Sequence, residues 1–134
     1  MAKVRISAGT AILYKNKILL CHPTTLPWIN SFSIPKGGVD EGETILQAAI
    51  RETSEEVGID LDIKQISNPK DPIEIIYINK KGETFKKVFV FLVKIKSLSE
   101  INTRTEILDK SRLQASEVDW SAFMTKEEAE DKIF

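Results

Sequence analysis

Apolar and polar positions along the chain follow two periods, and the changes between them mark out the elements. Val4 to Tyr14 and Lys17 to His22 predict two strands joined by a short turn at Lys15-Asn16. Gly9 inside the first marks a bulge or a close backbone approach. Pro23 to Ser31 reads as a loop with Trp28 near its middle, and Phe32 to Pro35 as a short extended approach to Lys36-Gly37-Gly38. Leu61 to Ile66 and Ile73 to Asn79 predict strands, and Lys80-Lys81-Gly82-Glu83 a hairpin turn. Thr84 to Ile95 predicts a long strand. Its unbroken apolar run from Val88 to Val93 fits an interior position in the sheet. Ser97 to Ser111 is polar and unpatterned, hence loop. Val118 to Phe123 predicts a short strand, and Thr125 to Ile133 a closing helix with Thr125 as N-cap and Glu128 at N3.

Between these strands the period changes to that of a helix. Thr44-Ile45-Leu46-Gln47 fits a capping box, and Gly58 suits the residue just past a helix end. Leu46, Ala49, Ile50, Thr53 and Val57 recur at helical spacing and form the stripe to be buried. Thr53 is the polar member. Its methyl can pack there while its hydroxyl bonds back to the carbonyl of Ala49. Many strands with one central and one terminal helix make an α+β class, and 134 residues suffice for one domain spanning 1–134.

The other side of this helix carries Glu52, Glu55 and Glu56 within an arc of roughly 100°. Like charges at that spacing repel, and the macrodipole disfavours anions near a helix C-terminus. Two local rules broken together suggest function, and convergent carboxylates suit a hard divalent cation. A solvated acidic face is the bland alternative. The surrounding spacing argues against it. Gly37, Glu43, Arg51, Glu52, Glu55, Glu56, Gly58 and Ile59 fit the pattern G-x5-E-x7-R-E-U-x-E-E-x-G-U, with U a bulky aliphatic residue.

That pattern is the Nudix box, and the chain resembles a Nudix hydrolase. Thr53 departs from it, standing where the family usually has an aliphatic residue. The resemblance implies the Nudix fold, a mixed sheet sandwiched between helices. It also implies metal-dependent hydrolysis of a diphosphate linkage in a nucleoside diphosphate derivative. Glu52, Glu55, Glu56 and the carbonyl of Gly37 would hold Mg²⁺, or Mn²⁺ in its place. Some members add a glutamate from a later loop. Glu117 is the first candidate for it, with Glu106 and Glu100 as alternatives. The catalytic set would be Glu56, Glu52 and Arg51, with Glu56 favoured as base and Arg51 orienting a carboxylate. Glu43 would support that set.

Overall charge is −1, which gives no drive toward bulk nucleic acid or a membrane surface. The distribution is uneven: seven acids against one base between Val39 and Asp60 leave a local charge of −6. So negative a site needs a cation before it can accept a phosphate. No run approaches the length of a membrane span, and the N-terminus lacks an apolar leader, so a cytoplasmic location is expected. Cys21, the single cysteine, sits in an apolar run and reads as a buried, inert thiol. His22 reads as a strand-end residue. The sequence carries no feature that specifies an oligomeric state.

Substrate choice turns on softer features. Lys36, just before the box, can meet a phosphate as a point charge. Tyr77 and Phe89 can each stack a nucleobase, although core packing is the stronger expectation for each. Pro35-Lys36-Gly37 resembles the start of the box in diadenosine polyphosphate and diphosphoinositol polyphosphate hydrolases, and Tyr77 lies near where dinucleoside polyphosphate hydrolases carry a tyrosine. The leading expectation is therefore a nucleotide substrate of the diadenosine tetraphosphate type. A nucleoside triphosphate or RNA 5′-end pyrophosphohydrolase is the alternative, and a non-catalytic nucleotide-binding domain a third.

Overall fold

The computed structural model describes residues 3–130, 132 and 133. Its strands are β1 (Arg5–Tyr14), β2 (Lys17–Pro23), β3 (Lys36–Gly38), β4 (Ile73–Ile78), β5 (Thr84–Ile95) and β6 (Val118–Thr125). They form one mixed sheet in the order β4-β5-β1-β2-β6, with β3 paired to β1. β1 and β5 run parallel from Arg5↔Lys86 to Tyr14↔Ile95, and the other strand pairs are antiparallel. The apolar β5 is thus an interior strand, as its pattern predicts.

Helix α1 (Ile45–Val57) covers one face. Thr44 and Gln47 close the expected capping box, and Gly58 ends the helix in the left-handed region at φ 66°. Ala48, Ala49, Thr53 and Val57 are buried against Ala8, Ile12, Phe91 and Val93 of the sheet. The buried Thr53 hydroxyl makes two hydrogen bonds. Its Oγ1 donates to the Ala49 carbonyl at 2.8 Å and meets Thr10 Oγ1 at 2.7 Å. The departure from an aliphatic residue is therefore matched by a hydroxyl on the facing strand. The single turn α2 (Lys126–Ala129) lies on the opposite face, where Ala129 packs with Leu20, Phe32 and Met124.

Three expected elements differ. Leu61 to Ile66 is not a strand: Ile63–Gln65 forms a 3-10 turn, because Asp62 and Gln65 cap each other's backbone. Only Ile66 reaches the sheet, bridging to Val93. The closing helix is shorter than Thr125 to Ile133. After one turn the chain is drawn into pairing with Phe32, whose N–H donates to Lys132 O at 2.7 Å while Ile133 bridges to it; Asp131 is outside the described residues. Phe32 to Pro35 makes only isolated bridges, and the strand begins at Lys36.

Candidate active site

The first half of the acidic segment is organised by Arg51. Its Nε and Nη2 donate to the two Glu43 oxygens at 2.8 and 3.0 Å, a bidentate pair. Nη1 donates to Glu52 Oε1 at 2.8 Å and to Glu55 Oε1 at 3.1 Å, and Nη2 also donates to the Gly38 carbonyl at 3.0 Å. Asp40 stands 3.4 Å away. This clamp holds the Glu43 carboxyl at about 2, well below the usual carboxylate range, and pushes the guanidinium further up. The glutamate helix therefore does not carry three equivalent carboxylates. Glu55 is exposed and tied to Arg51, while Glu52 and Glu56 turn toward β3.

Contact with β3 is close. A Cβ on Gly37 would lie 2.2 Å from Glu52 Cδ and 2.3 Å from its Oε2, so only glycine lets the two approach. Glu56 Oε1 accepts from the Lys36 N–H at 3.3 Å. Burial raises the carboxyl of Glu56 to about 7; Glu52 and Glu117 add to the rise, while the Lys36 backbone N–H and charge oppose it. Glu52 is raised as well, first by burial and then by Glu55 and Asp40, against the pull of Arg51. Among the described residues, no three acidic, histidine or cysteine side chains stand together as a group able to hold a metal ion.

Glu56 opens into a cleft of about 130 Å³, shared with Cys21, Ser33, Lys36 and Glu117. Ser33, Ile34 and Lys36 also wall a second, apolar cavity of about 270 Å³ on the face away from α1. Ala11, Val88 and Val90 line it, with Ile75 and Tyr77 at its rim. Gly9 makes room for this wall, since a Cβ there would lie 2.3 Å from the Pro35 carbonyl and 2.5 Å from Lys36 Cβ. Lys86 stands over the Tyr77 ring at 5.6 Å, and Arg5 pairs in register with Lys86. Arg5 and Lys36 lower the Lys86 ammonium electrostatically, after burial. These three cations gather near Tyr77. The sequence reading included only Lys36.

The remaining sequence candidates separate. Glu117 faces the Glu56 cleft. Glu106 instead pairs with Lys17, and Glu100 accepts from the Lys96 and Ser97 N–H groups and caps a turn. Phe89 and Tyr77 fall on opposite faces: Tyr77 pairs with Lys86 and Phe89 with Glu74, one step out of phase. Phe89, half-buried beside Ala8, is on the α1 side and does not line the apolar cavity. His22 is buried within β2. Its Nδ1 lies 2.6 Å from Asp119 Oδ1 and its Nε2 3.2 Å from the Pro27 carbonyl, under the Trp28 ring. Cys21 is buried, which pushes its thiol up to about 12 and leaves it inert.

The NUDIX domain family profile matches residues 3–133. No curated protein matches the sequence. Among solved structures, a C. elegans Ap4A hydrolase binary complex is 27% identical, with 94% of this chain and 83% of that one covered and a TM-score of 0.63. A NUDIX hydrolase from Nitrosomonas europaea is 21% identical over 97% of this chain and 78% of its own, with a TM-score of 0.68. A bifunctional NMN adenylyltransferase/ADP ribose pyrophosphatase from Francisella tularensis, complexed with AMP and a Mn ion, is 19% identical with a TM-score of 0.68. This chain spans 38% of that protein's length. At these last two identities the likeness is one of fold.

Proposed function

The chain belongs to the NUDIX domain family and is a hydrolase of that family, and on that premise we propose that it cleaves a diphosphate linkage in a dinucleoside polyphosphate of the diadenosine tetraphosphate type, with Mg²⁺ as cofactor. The observation that carries this reading is adjacency. A carboxylate cleft and an apolar cavity share the wall Ser33, Ile34 and Lys36. A phosphate chain crossing that wall would leave a nucleoside in the cavity beside Tyr77, with Lys36, Lys86 and Arg5 near its phosphates. Identity of 27% to an Ap4A hydrolase supports the same substrate class.

The donor set fits a hard divalent cation. Glu52, Glu56 and the backbone at Gly37 offer only oxygen atoms, packed too closely for any side chain on residue 37. Glu55 and Glu117 are the further carboxylates at hand. A bound divalent cation would neutralise phosphate charge and lower the pKa of water. The chain's own residues do the rest. Glu56, half-buried and held by the Lys36 N–H, takes the proton of the attacking water. Arg51 orients Glu52 and Glu43 through its clamp, acting by way of them. Lys36 meets the phosphate chain, and its N–H fixes Glu56.

The test is a kcat/KM comparison of diadenosine tetraphosphate, ADP-ribose and a nucleoside triphosphate, in Mg²⁺, in Mn²⁺ and in excess chelator. Diadenosine tetraphosphate should lead, chelator should abolish turnover, and Lys36→Ala and Lys86→Ala should reduce kcat/KM most for the longest phosphate chain. Preference for the triphosphate would select the pyrophosphohydrolase alternative. Full activity in chelator would overturn the mechanism.

A further inference from the structure

The apolar cavity is deeper than a base stacked on Tyr77 requires. Side chains alternate along the strands, so Lys86, Val88 and Val90 share one face of β5, and Arg5 and Ala11 share that face of β1. One end of this face is cationic and the rest is aliphatic. Ala11, Leu20, Ile34, Val88 and Val90 make the floor. The wall hydroxyl, Ser33 Oγ, already donates to the Ile34 carbonyl at 3.2 Å. Among the described residues, none of those lining the cavity is acidic, and Glu74 lies on the opposite face with Lys87. A nucleobase has hydrogen-bonding edges, and burying them against such a floor is unfavourable. At the rim beside Tyr77 a base keeps those edges in water and leaves the floor to other groups. A branched alkyl chain has no polar edge to satisfy. At roughly 30 Å³ per heavy atom, the share a water takes in the liquid, about 270 Å³ has room for about nine such atoms.

The geometry points to a second class of substrate for this site: the diphosphate ester of a branched alkyl alcohol of about five to ten carbons. The chain lies on the aliphatic floor, and the diphosphate crosses the wall at Lys36 into the carboxylate cleft. Charge and polarity match along that line. The apolar end meets only carbon, and the anionic end meets Lys36, with Lys86 and Arg5 beside it on the same face. This rests on the hydrolase reading of the Glu56 cleft and is independent of the dinucleoside reading. In the reaction, the oxygen of water bonds to the terminal phosphorus as the bridging P–O bond breaks. The electron pair of that bond stays on the bridging oxygen, which remains with the alkyl phosphate, and Glu56 takes a proton from the water. The products are the alkyl monophosphate and orthophosphate.

Calorimetric titration of the full chain in Mg²⁺ tests the site by binding alone. The probes are the methyl, dimethylallyl, geranyl and farnesyl esters of methylenediphosphonate, whose P–C–P bridge resists hydrolysis. Affinity should rise about twofold or more per added carbon from methyl to geranyl and then level off at farnesyl, because the cavity is full. The heat-capacity change of binding should grow more negative over the same range. Ala11→Leu narrows the floor and should weaken the geranyl ester about tenfold or more while sparing the methyl ester. Ile75→Ser, on the exposed rim, should produce the same split more weakly without disturbing the floor, and Lys86→Ala should weaken every probe alike. Circular dichroism would confirm that each variant folds. Geranyl diphosphate itself should yield geranyl monophosphate and orthophosphate. Affinity that does not depend on chain length, or an equal loss for methyl and geranyl esters in both Ala11→Leu and Ile75→Ser, would overturn the inference. Turnover of diadenosine tetraphosphate without binding of the geranyl ester would overturn it alone. Turnover of geranyl diphosphate without that of diadenosine tetraphosphate would support it and overturn the dinucleoside reading.

Discussion

Glu56→Gln should stabilise the metal-free protein at neutral pH while removing catalysis. Burial raises the Glu56 carboxyl from 4.5 to about 7. A carboxyl whose folded pKa lies above its unfolded one binds its proton more tightly when folded. The folded state thus suffers no penalty below pH 4.5, loses stability between pH 4.5 and about 7, and bears the full penalty above that. At about 1.4 kcal/mol per unit, the loss is about 3 kcal/mol. Glutamine keeps the shape, and its side-chain oxygen can still accept from the Lys36 N–H. For a domain of this size, 3 kcal/mol corresponds to about 10 °C in Tm. The assay is thermal unfolding of both proteins in chelator from pH 4.5 to 8. The two Tm values should be close at the acid end, with the variant higher by about that amount at the alkaline end. Adding Mg²⁺ should raise only the wild type substantially, and kcat of the variant should fall about 10²-fold or more. A Tm gap that does not change with pH would refute the reasoning, because it would mean that Glu56 is not a buried carboxyl in need of a counter-charge.

Two further substitutions probe the packing around the site. Gly37→Ala drives a methyl to within 2.2 Å of Glu52 Cδ, so Mg²⁺ affinity measured by titration calorimetry should fall while the far-ultraviolet circular dichroism is retained. Thr53→Val is nearly isosteric but strips Thr10 Oγ1 of its partner at 2.7 Å, and urea unfolding should show a loss of about 1–3 kcal/mol with kcat unchanged.

Much of the site could be read from the chain because its signals are local. The capping box, the buried stripe and the terminal glycine each define α1 independently, and all agree. The long strand Thr84–Ile95 and its hairpin partner were equally legible from apolar runs around a turn. The errors arose where a short signal competed with an apolar one. Leu61, Ile63 and Ile66 suggest a strand, but Asp62 and Gln65 form a capping pair that closes a turn first. The proximity of Arg5 to Lys86 is not written in any local pattern for a different reason. Parallel pairing of β1 with β5 brings them together from opposite ends of the sequence, and no local pattern encodes that register.

The divergence of the three glutamates shows what a helical wheel leaves out. Spacing places Glu52, Glu55 and Glu56 in one arc, but it says nothing about which cation each will find. Arg51 lies one position before Glu52 and four before Glu55, and its fork reaches both, together with Glu43. Glu56 is beyond it and meets only a backbone N–H. One arginine therefore sorts equivalent residues into a neutralised group and an uncompensated one. Glu56 is the one half-buried against β3, and its carboxyl is raised. A lysine at residue 51, with a single point charge, would not reproduce the fork that reaches Glu43, Glu52 and Glu55 at once.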